Sequence, residues 1–206
     1  MILEKVLTLA QLSLARKLFP KTQEFYLAGG TALALQIGHR RSVDFDLASA
    51  EPLRTFDLER KIMTEGLKIQ SVFTATSDEF SILIEETKLS FFCFPFAIHP
   101  KILWQTGRIK LPEIDELGAM KAYALGRRSQ WKDYVDLFFL LKFKLSIDDI
   151  IAKAKELFST HFNTKLFREQ LCYFEDIDSS ETIDYIDYAP EVDEIKSFLE
   201  ALAIKF

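Results

Sequence analysis

The chain has 206 residues and a mass of 23.8 kDa, room for one domain or a core with a small appendage, and too little for a long multidomain machine. Hydrophobic residues make up 49% and charged residues 28%, ordinary globular usage that excludes an intrinsically disordered tail. A net charge of −5 argues against a protein that coats nucleic acid.

In chain order, apolar residues recur at helical spacing from Ile2 to Leu18 (Leu3, Val6, Leu7, Ala10, Leu14, Leu18), and Pro20 stops the pattern, which predicts an amphipathic helix. Phe25 to Ala28 is a short apolar run ending at Gly29 and Gly30, a buried strand followed by a tight turn. Thr31 to Ile37 is helical in pattern and Gly38 ends it; the alternation Val43, Asp44, Phe45, Asp46, Leu47 predicts a second strand. After Pro52 a helix is expected over about Leu53–Glu65, closed by Gly66. Three strand-like runs follow, near Ile69–Thr74, Phe80–Glu85 and Lys88–Phe94, turning at Ser77, Asp78 and at Glu86, Thr87. From Ile114 the periodicity is helical, with helices expected at about Asp115–Gly126, Trp131–Phe143, Ile147–Phe158, Thr164–Phe174 and Glu191–Ile204. The expected class is α+β, a small mixed sheet with helices before, inside and after it.

Cys93 and Cys172 lie far apart among apolar neighbours, so both are expected as small buried hydrophobes in a reducing, cytosolic setting. Met1 to Lys5 lacks a signal-peptide layout, and no run approaches about 18 apolar residues, so neither export nor a membrane span is expected. Nine acids and no Lys or Arg occupy Glu175–Glu194, whereas seven bases face three acids between Lys101 and Lys132. The basic stretch is compatible with RNA phosphates. The acidic one reads either as a solvated face or as a dock for a basic partner.

Chemistry concentrates in Leu27-Ala28-Gly29-Gly30-Thr31 and Gly38-His39-Arg40-Arg41-Ser42-Val43-Asp44-Phe45-Asp46. The free N–H groups and dipole of a helix N-terminus favour anions, glycine lets a phosphate approach the backbone, and a hydroxyl adds a donor. On a strand, residues i and i+2 share a face, so Asp44 and Asp46 project together, as needed to hold Mg²⁺ or Mn²⁺ against phosphate oxygens. Either motif alone is commonly just a turn or an exposed strand edge; the two together, with a helix between, point to a triphosphate cradle. Arg40, Arg41 and Ser42 stand where they could bind phosphate or acceptor, or form a charged turn. No second His or Cys lies at ligand spacing from His39.

This combination resembles the nucleotidyltransferase superfamily with the DNA polymerase β-like fold, and more closely the AbiEii/AbiGii toxin family. The closer resemblance rests on L-A-G-G-T-A-L-A-L with G-H-R-x-S-x-D-F-D-L, and on a second block: Asp115 to Ala122, then Arg127, Arg128, then Lys132-Asp133-Tyr134-Val135-Asp136-Leu137. The resemblance implies a nucleotidyltransferase core over residues 1–110 with a helical region, 111–206, packed on it. It implies that Gly29, Gly30 and Thr31 form the phosphate-binding turn; Arg40 and Ser42, from their place before the acid pair, and Arg127 are expected to contact nucleotide as well. Asp44 and Asp46 would bind metal, Lys121 the triphosphate, and Asp136 with Asp133 would form the acidic motif that orients Lys121 or Arg127. The implied activity is transfer of a nucleoside monophosphate from an NTP to a hydroxyl of RNA, such as a tRNA 3′ end, or of a protein. The implied role is the cytoplasmic toxin of a toxin–antitoxin or phage-defence pair, with a cognate antitoxin as partner.

One departure matters. The superfamily puts a third carboxylate on a later strand, where this chain has Ser90. Glu85 or Glu86 could replace it if the strand register allows, or the site could be reduced to one metal. Two other functions therefore stand beside transfer to RNA or protein: a catalytically reduced NTP-binding module, and an enzyme that modifies antibiotics by nucleotide transfer.

Overall fold

Thr8 decides how the chain begins. Its hydroxyl accepts from the Gln11 N–H at 3.2 Å while the Gln11 side chain accepts from the Thr8 N–H at 2.9 Å, a reciprocal cap that starts a helix at the next residue. The expected helix over Ile2–Leu18 is therefore two pieces, a 3₁₀ turn at Glu4–Val6 and helix α1 at Leu9–Leu18. The computed structural model describes residues 2–125, 127–128 and 130–204. Met1 of the N-terminal reading and Gly126, at which the fourth long helix was expected to end, lie outside the described residues.

The chain divides into two compact units, Met1–Glu113 and Ile114–Phe206. In the first, α1 is followed by β1 (Tyr26–Ala28), α2 (Gly29–Ile37), β2 (Asp44–Ser49), α3 (Thr55–Thr64), β3 (Ser71–Ala75), β4 (Glu79–Ile84) and β5 (Thr87–Cys93). The five strands form a mixed sheet in the order β1-β2-β5-β4-β3. β2 runs parallel to β5 and every other pairing is antiparallel. The α+β class and the mixed sheet expected from the sequence are therefore both present.

Alternation sets the two faces of the sheet. Phe45, Leu47, Phe80, Ile82, Leu89 and Phe91 are fully buried. Against this face Phe19 sits edge-on to Phe45 at 4.9 Å and to Trp104 at 6.1 Å, and Phe25 edge-on to Phe91 at 5.2 Å. Each buried ring contributes roughly 2–3 kcal/mol through area alone. The opposite face carries Asp44, Asp46, Ser90 and Ser81 in register.

The β4–β5 turn is one residue earlier than expected. Glu85 and Glu86 both have positive φ, 48° and 64°, and Ile84 pairs with Thr87, the geometry of a two-residue hairpin that follows the twist of the strands. A second hairpin, β6 (Ile102–Trp104) and β7 (Ile109–Leu111), has no counterpart in the sequence reading. Its strands are three residues long, too short to show alternation, and they are tied by the burial of Trp104, Ile109 and Leu111. Neither cysteine is fully buried: Cys93 is half-buried and Cys172 exposed. Each spends its thiol on a backbone carbonyl, Cys93 on Ala50 and Cys172 on Glu169.

The second unit is helical: α4 (Ile114–Leu125), α5 (Trp131–Phe143), α6 (Ile147–Phe158), α7 (Thr164–Leu171) and α8 (Val192–Ala203). Gly118 on α4 lets α6 approach closely; a Cβ there would meet Ile150 at 3.2 Å. The hydroxyl of the buried Tyr134 on α5 reaches the carbonyls of Gln170 and Tyr173, at 3.2 and 3.0 Å. Among the described residues no helix is long and apolar enough to cross a membrane.

Candidate active site

β1 runs directly into α2, so the tight turn expected at Gly29 and Gly30 is the first turn of the helix, and it interlocks with the start of β2. β1 and β2 pair with Ala28 opposite Asp46, so the residue after Ala28 lies directly under the Asp46 carboxylate. A Cβ on Gly29 would stand 2.0 Å from Asp46 Oδ2, and Gly29 has φ +66°. Space and backbone both restrict the position to glycine. No side chain caps α2, whose N-cap residue is Ala28, and its dipole directs positive potential at this turn.

Hydroxyls tie the same helix end to the strand. Thr31 Oγ1 donates to the Asp44 carbonyl, and its oxygen lies 2.6 Å from Ser42 Oγ. With the one Thr31 proton committed to Asp44, Ser42 is the donor in that pair. The Ser42 carbonyl in turn accepts from Gln11 Nε2 at 2.8 Å. Thr31 and Ser42 are buried, so both hydroxyls hold the cradle in shape. Arg40 is also buried and its guanidinium donates to the Arg41 carbonyl at 3.1 Å; His39 beside it is buried too.

Asp44 and Asp46 are half-buried on the polar face of β2. Among the described residues no group of three His, Cys, Asp or Glu side chains is placed to hold a metal. Two hard oxygen donors beside a phosphate-binding turn nevertheless fit Mg²⁺ or Mn²⁺, which complete their shells with water and substrate phosphate.

Register settles what stands next to the pair. Ser90 of β5 lies opposite Asp46, and Ser81 of β4 lies opposite Ser90. Ser81 Oγ is 3.1 Å from Ser90 Oγ and donates to Glu79 Oε1 at 2.5 Å. Glu85 and Glu86 are exposed in the hairpin turn that precedes β5, so neither occupies the position of Ser90. Glu79 and Ser81 were not singled out from the sequence; only the β4–β5 pairing connects them to Asp46.

In the second unit, Lys121 on α4 is almost fully buried, and its Nζ lies 2.6 Å from both Asp133 Oδ1 and Asp136 Oδ2. Asp133 and Asp136, one helical turn apart on α5, have no exposed side-chain surface. Arg128 completes the cluster by gripping Asp133 with Nε at 2.9 Å and Nη2 at 3.1 Å. Burial pushes the Asp133 carboxyl upward, but the charges of Lys121 and Arg128 outweigh it and hold the group below the usual carboxylate range. Arg127, its neighbour, turns elsewhere: its guanidinium lies 3.4 Å from the Tyr123 ring centroid and donates to the carbonyls of Tyr123 and His161. Asp133 thus orients Lys121 and Arg128, not Arg127. The Arg-Arg dipeptide carried the signal, and spacing alone did not separate its two members.

Comparisons with known proteins place the chain in a family and a fold. The chain is 30% identical over 187 residues to the uncharacterized protein aq_aa25 of Aquifex aeolicus (strain VF5), covering 86% of this chain and 89% of that one. Its fold is similar to that of MenT4, a nucleotidyltransferase toxin of Mycobacterium tuberculosis H37Rv, with TM-score 0.61, 14% identity, and coverage of 95% of this chain and 82% of that one. It is similar also to JHP933 of Helicobacter pylori, with TM-score 0.53, 16% identity, and coverage of 98% and 92%. Residues 13–204 match the family described as "Nucleotidyl transferase AbiEii toxin, Type IV TA system". With the glycine turn under Asp46 and both motif blocks inside the matched span, the chain belongs to the AbiEii family of nucleotidyltransferase toxins.

Proposed function

We propose that the protein moves a nucleoside monophosphate from an NTP to a hydroxyl of RNA, such as a tRNA 3′ end, or of a protein, with Asp44 and Asp46 holding Mg²⁺ or Mn²⁺. The observation that carries this reading is the seat of the Asp46 carboxylate over Gly29, which joins an anion-favouring helix end to a cation-holding acid pair. A divalent cation bound by Asp44 and Asp46 would neutralise charge on the phosphate oxygens. Gly29, Gly30 and Thr31 present backbone N–H groups to the phosphates, and the Thr31 hydroxyl, bonded to the Asp44 carbonyl, keeps that turn fixed on β2. In the second unit, Asp133 and Asp136 hold Lys121 in place. In this reading the chain's cellular partner is an antitoxin, as the family description implies.

The test is incubation of purified protein with each of the four NTPs labelled at the α-phosphate, Mg²⁺ and total tRNA, beside an Asp44→Ala/Asp46→Ala variant. Label on RNA or on protein that disappears in the variant is expected. A second reading, an NTP-binding module without transfer, is favoured by Ser90 at the place of the third carboxylate. Measurable NTP binding with no label from any nucleotide would select it.

A further inference from the structure

We propose that Glu79 is the terminal proton acceptor of the transfer reaction, reached from the acid pair through Ser90 and Ser81, so that a two-hydroxyl relay replaces the carboxylate absent at position 90. The proposal rests on the transfer reading above. It starts from register: Asp46, Ser90 and Ser81 form one row across β2, β5 and β4 on the polar face. Glu79, two residues before Ser81 on the same strand, shares that face.

Direction follows from counting protons. An ionised carboxylate only accepts, so the single Ser81 proton goes to Glu79 Oε1 at 2.5 Å, and the 3.1 Å contact between hydroxyls has Ser90 as donor. The lone pairs of Ser90 Oγ are then the receiving end of the chain, beside Asp46. Ser81 is 1% exposed, so its hydroxyl passes protons without exchanging them with water. Glu79 is exposed and can return its proton to solvent.

The step balances. The acceptor hydroxyl oxygen forms a bond to Pα with its own lone pair, and the bond from Pα to the bridging oxygen breaks, with its electron pair leaving on pyrophosphate. The acceptor proton moves to Ser90 Oγ as the Ser90 proton moves to Ser81 Oγ and the Ser81 proton to Glu79, which ends as the neutral acid. No oxidant or further reactant is needed.

The experiment compares steady-state transfer by wild type, Glu79→Gln, Ser81→Ala, Glu79→Gln/Ser81→Ala and Glu79→Gln/Ser90→Asp, with Asp46→Asn alongside and NTP binding measured separately. Glu79→Gln is expected to lower kcat about 100-fold with NTP binding unchanged. Ser81→Ala should match it, the double variant should be no worse, and Ser90→Asp should restore at least a tenth of the lost rate by supplying a carboxylate directly beside Asp46. A structural role for Glu79 would not be rescued from another strand. Wild-type kcat in Glu79→Gln, loss of NTP binding in that variant, or failure of Ser90→Asp to rescue would overturn the relay while Asp46-dependent transfer stands. Absence of Asp46-dependent transfer in the wild type would remove the transfer reading, and the relay with it.

Discussion

Gly29 is the position where one added carbon reaches furthest. A Cβ would meet the Asp46 carboxylate at 2.0 Å on a backbone of φ +66°, so Gly29→Ala must shift either the turn or the acid. The left-handed backbone costs about 1–2 kcal/mol, visible as a lower denaturant midpoint. Displacing Asp46 by about 1 Å lowers transfer on the order of 100-fold, and a variant that kept wild-type turnover would show that the Gly29–Asp46 contact is incidental. Thr31→Val, which is isosteric, removes both hydroxyl bonds that link α2 to Ser42 and to the Asp44 carbonyl of β2; the expected loss is about 1–2 kcal/mol in urea unfolding. The sequence displayed Gly29, Thr31, Asp44 and Asp46 as a motif, but the reason for the first glycine is a cross-strand contact that depends on β1–β2 register. Cys172 shows the converse: apolar neighbours in sequence suggested burial, yet it is exposed at the C-terminal end of α7.

The pairing of α4 with α5 is the clearest case at the level of elements. The i, i+3 spacing of Asp133 and Asp136 put both acids on one face of a helix legible from its periodicity, and Lys121 lies 2.6 Å from each. Lys121→Met removes the cation that two buried carboxylates share and is expected to destabilise the fold by about 3–5 kcal/mol, read as a shift in thermal midpoint. The Asp133 carboxyl is held below its ordinary value by Lys121 and Arg128 against the cost of burial. Its stabilising contribution is therefore complete above the unfolded carboxylate value of about 3.9 and declines as pH falls below it towards the lowered folded value. Wild-type stability should fall across that interval more steeply than that of Asp133→Asn, measured by urea unfolding between pH 5 and pH 2.5. Equal slopes would mean that Asp133 titrates alike in both states. The helix Ile147–Phe158, opened by the reciprocal Ser146–Asp149 cap, was legible in full, whereas the same kind of cap at Thr8 was hidden by apolar spacing that runs on across it. The β6–β7 hairpin was not, because its three-residue strands owe their existence to the buried Trp104 and not to any local pattern.

For the molecule as a whole, the basic stretch seen in the sequence is largely consumed internally. Lys101 pairs with Glu113, Lys121 and Arg128 with Asp133, and Lys132 with Glu181. Seven phosphate contacts on a single strand would give a slope of about −5 in log K against log salt, and three about −2. Anisotropy titrations of labelled tRNA from 50 to 300 mM salt are expected to give a slope no steeper than about −3; a slope near −5 would require the internal pairs to open on binding. The acidic segment is likewise engaged in part, through Glu181 on Lys132 and Glu194 on Lys142, contacts that no sequence pattern specified. The central claim, that the acid pair over Gly29 performs nucleotidyl transfer, is tested most directly by pyrophosphate release from mixed NTPs with cellular RNA supplied as acceptor, which registers turnover before the acceptor is known. Release that requires a divalent cation and falls at least 100-fold in Asp46→Asn is the predicted result, whereas equal release from wild type and Asp46→Asn, or none from either, would contradict it.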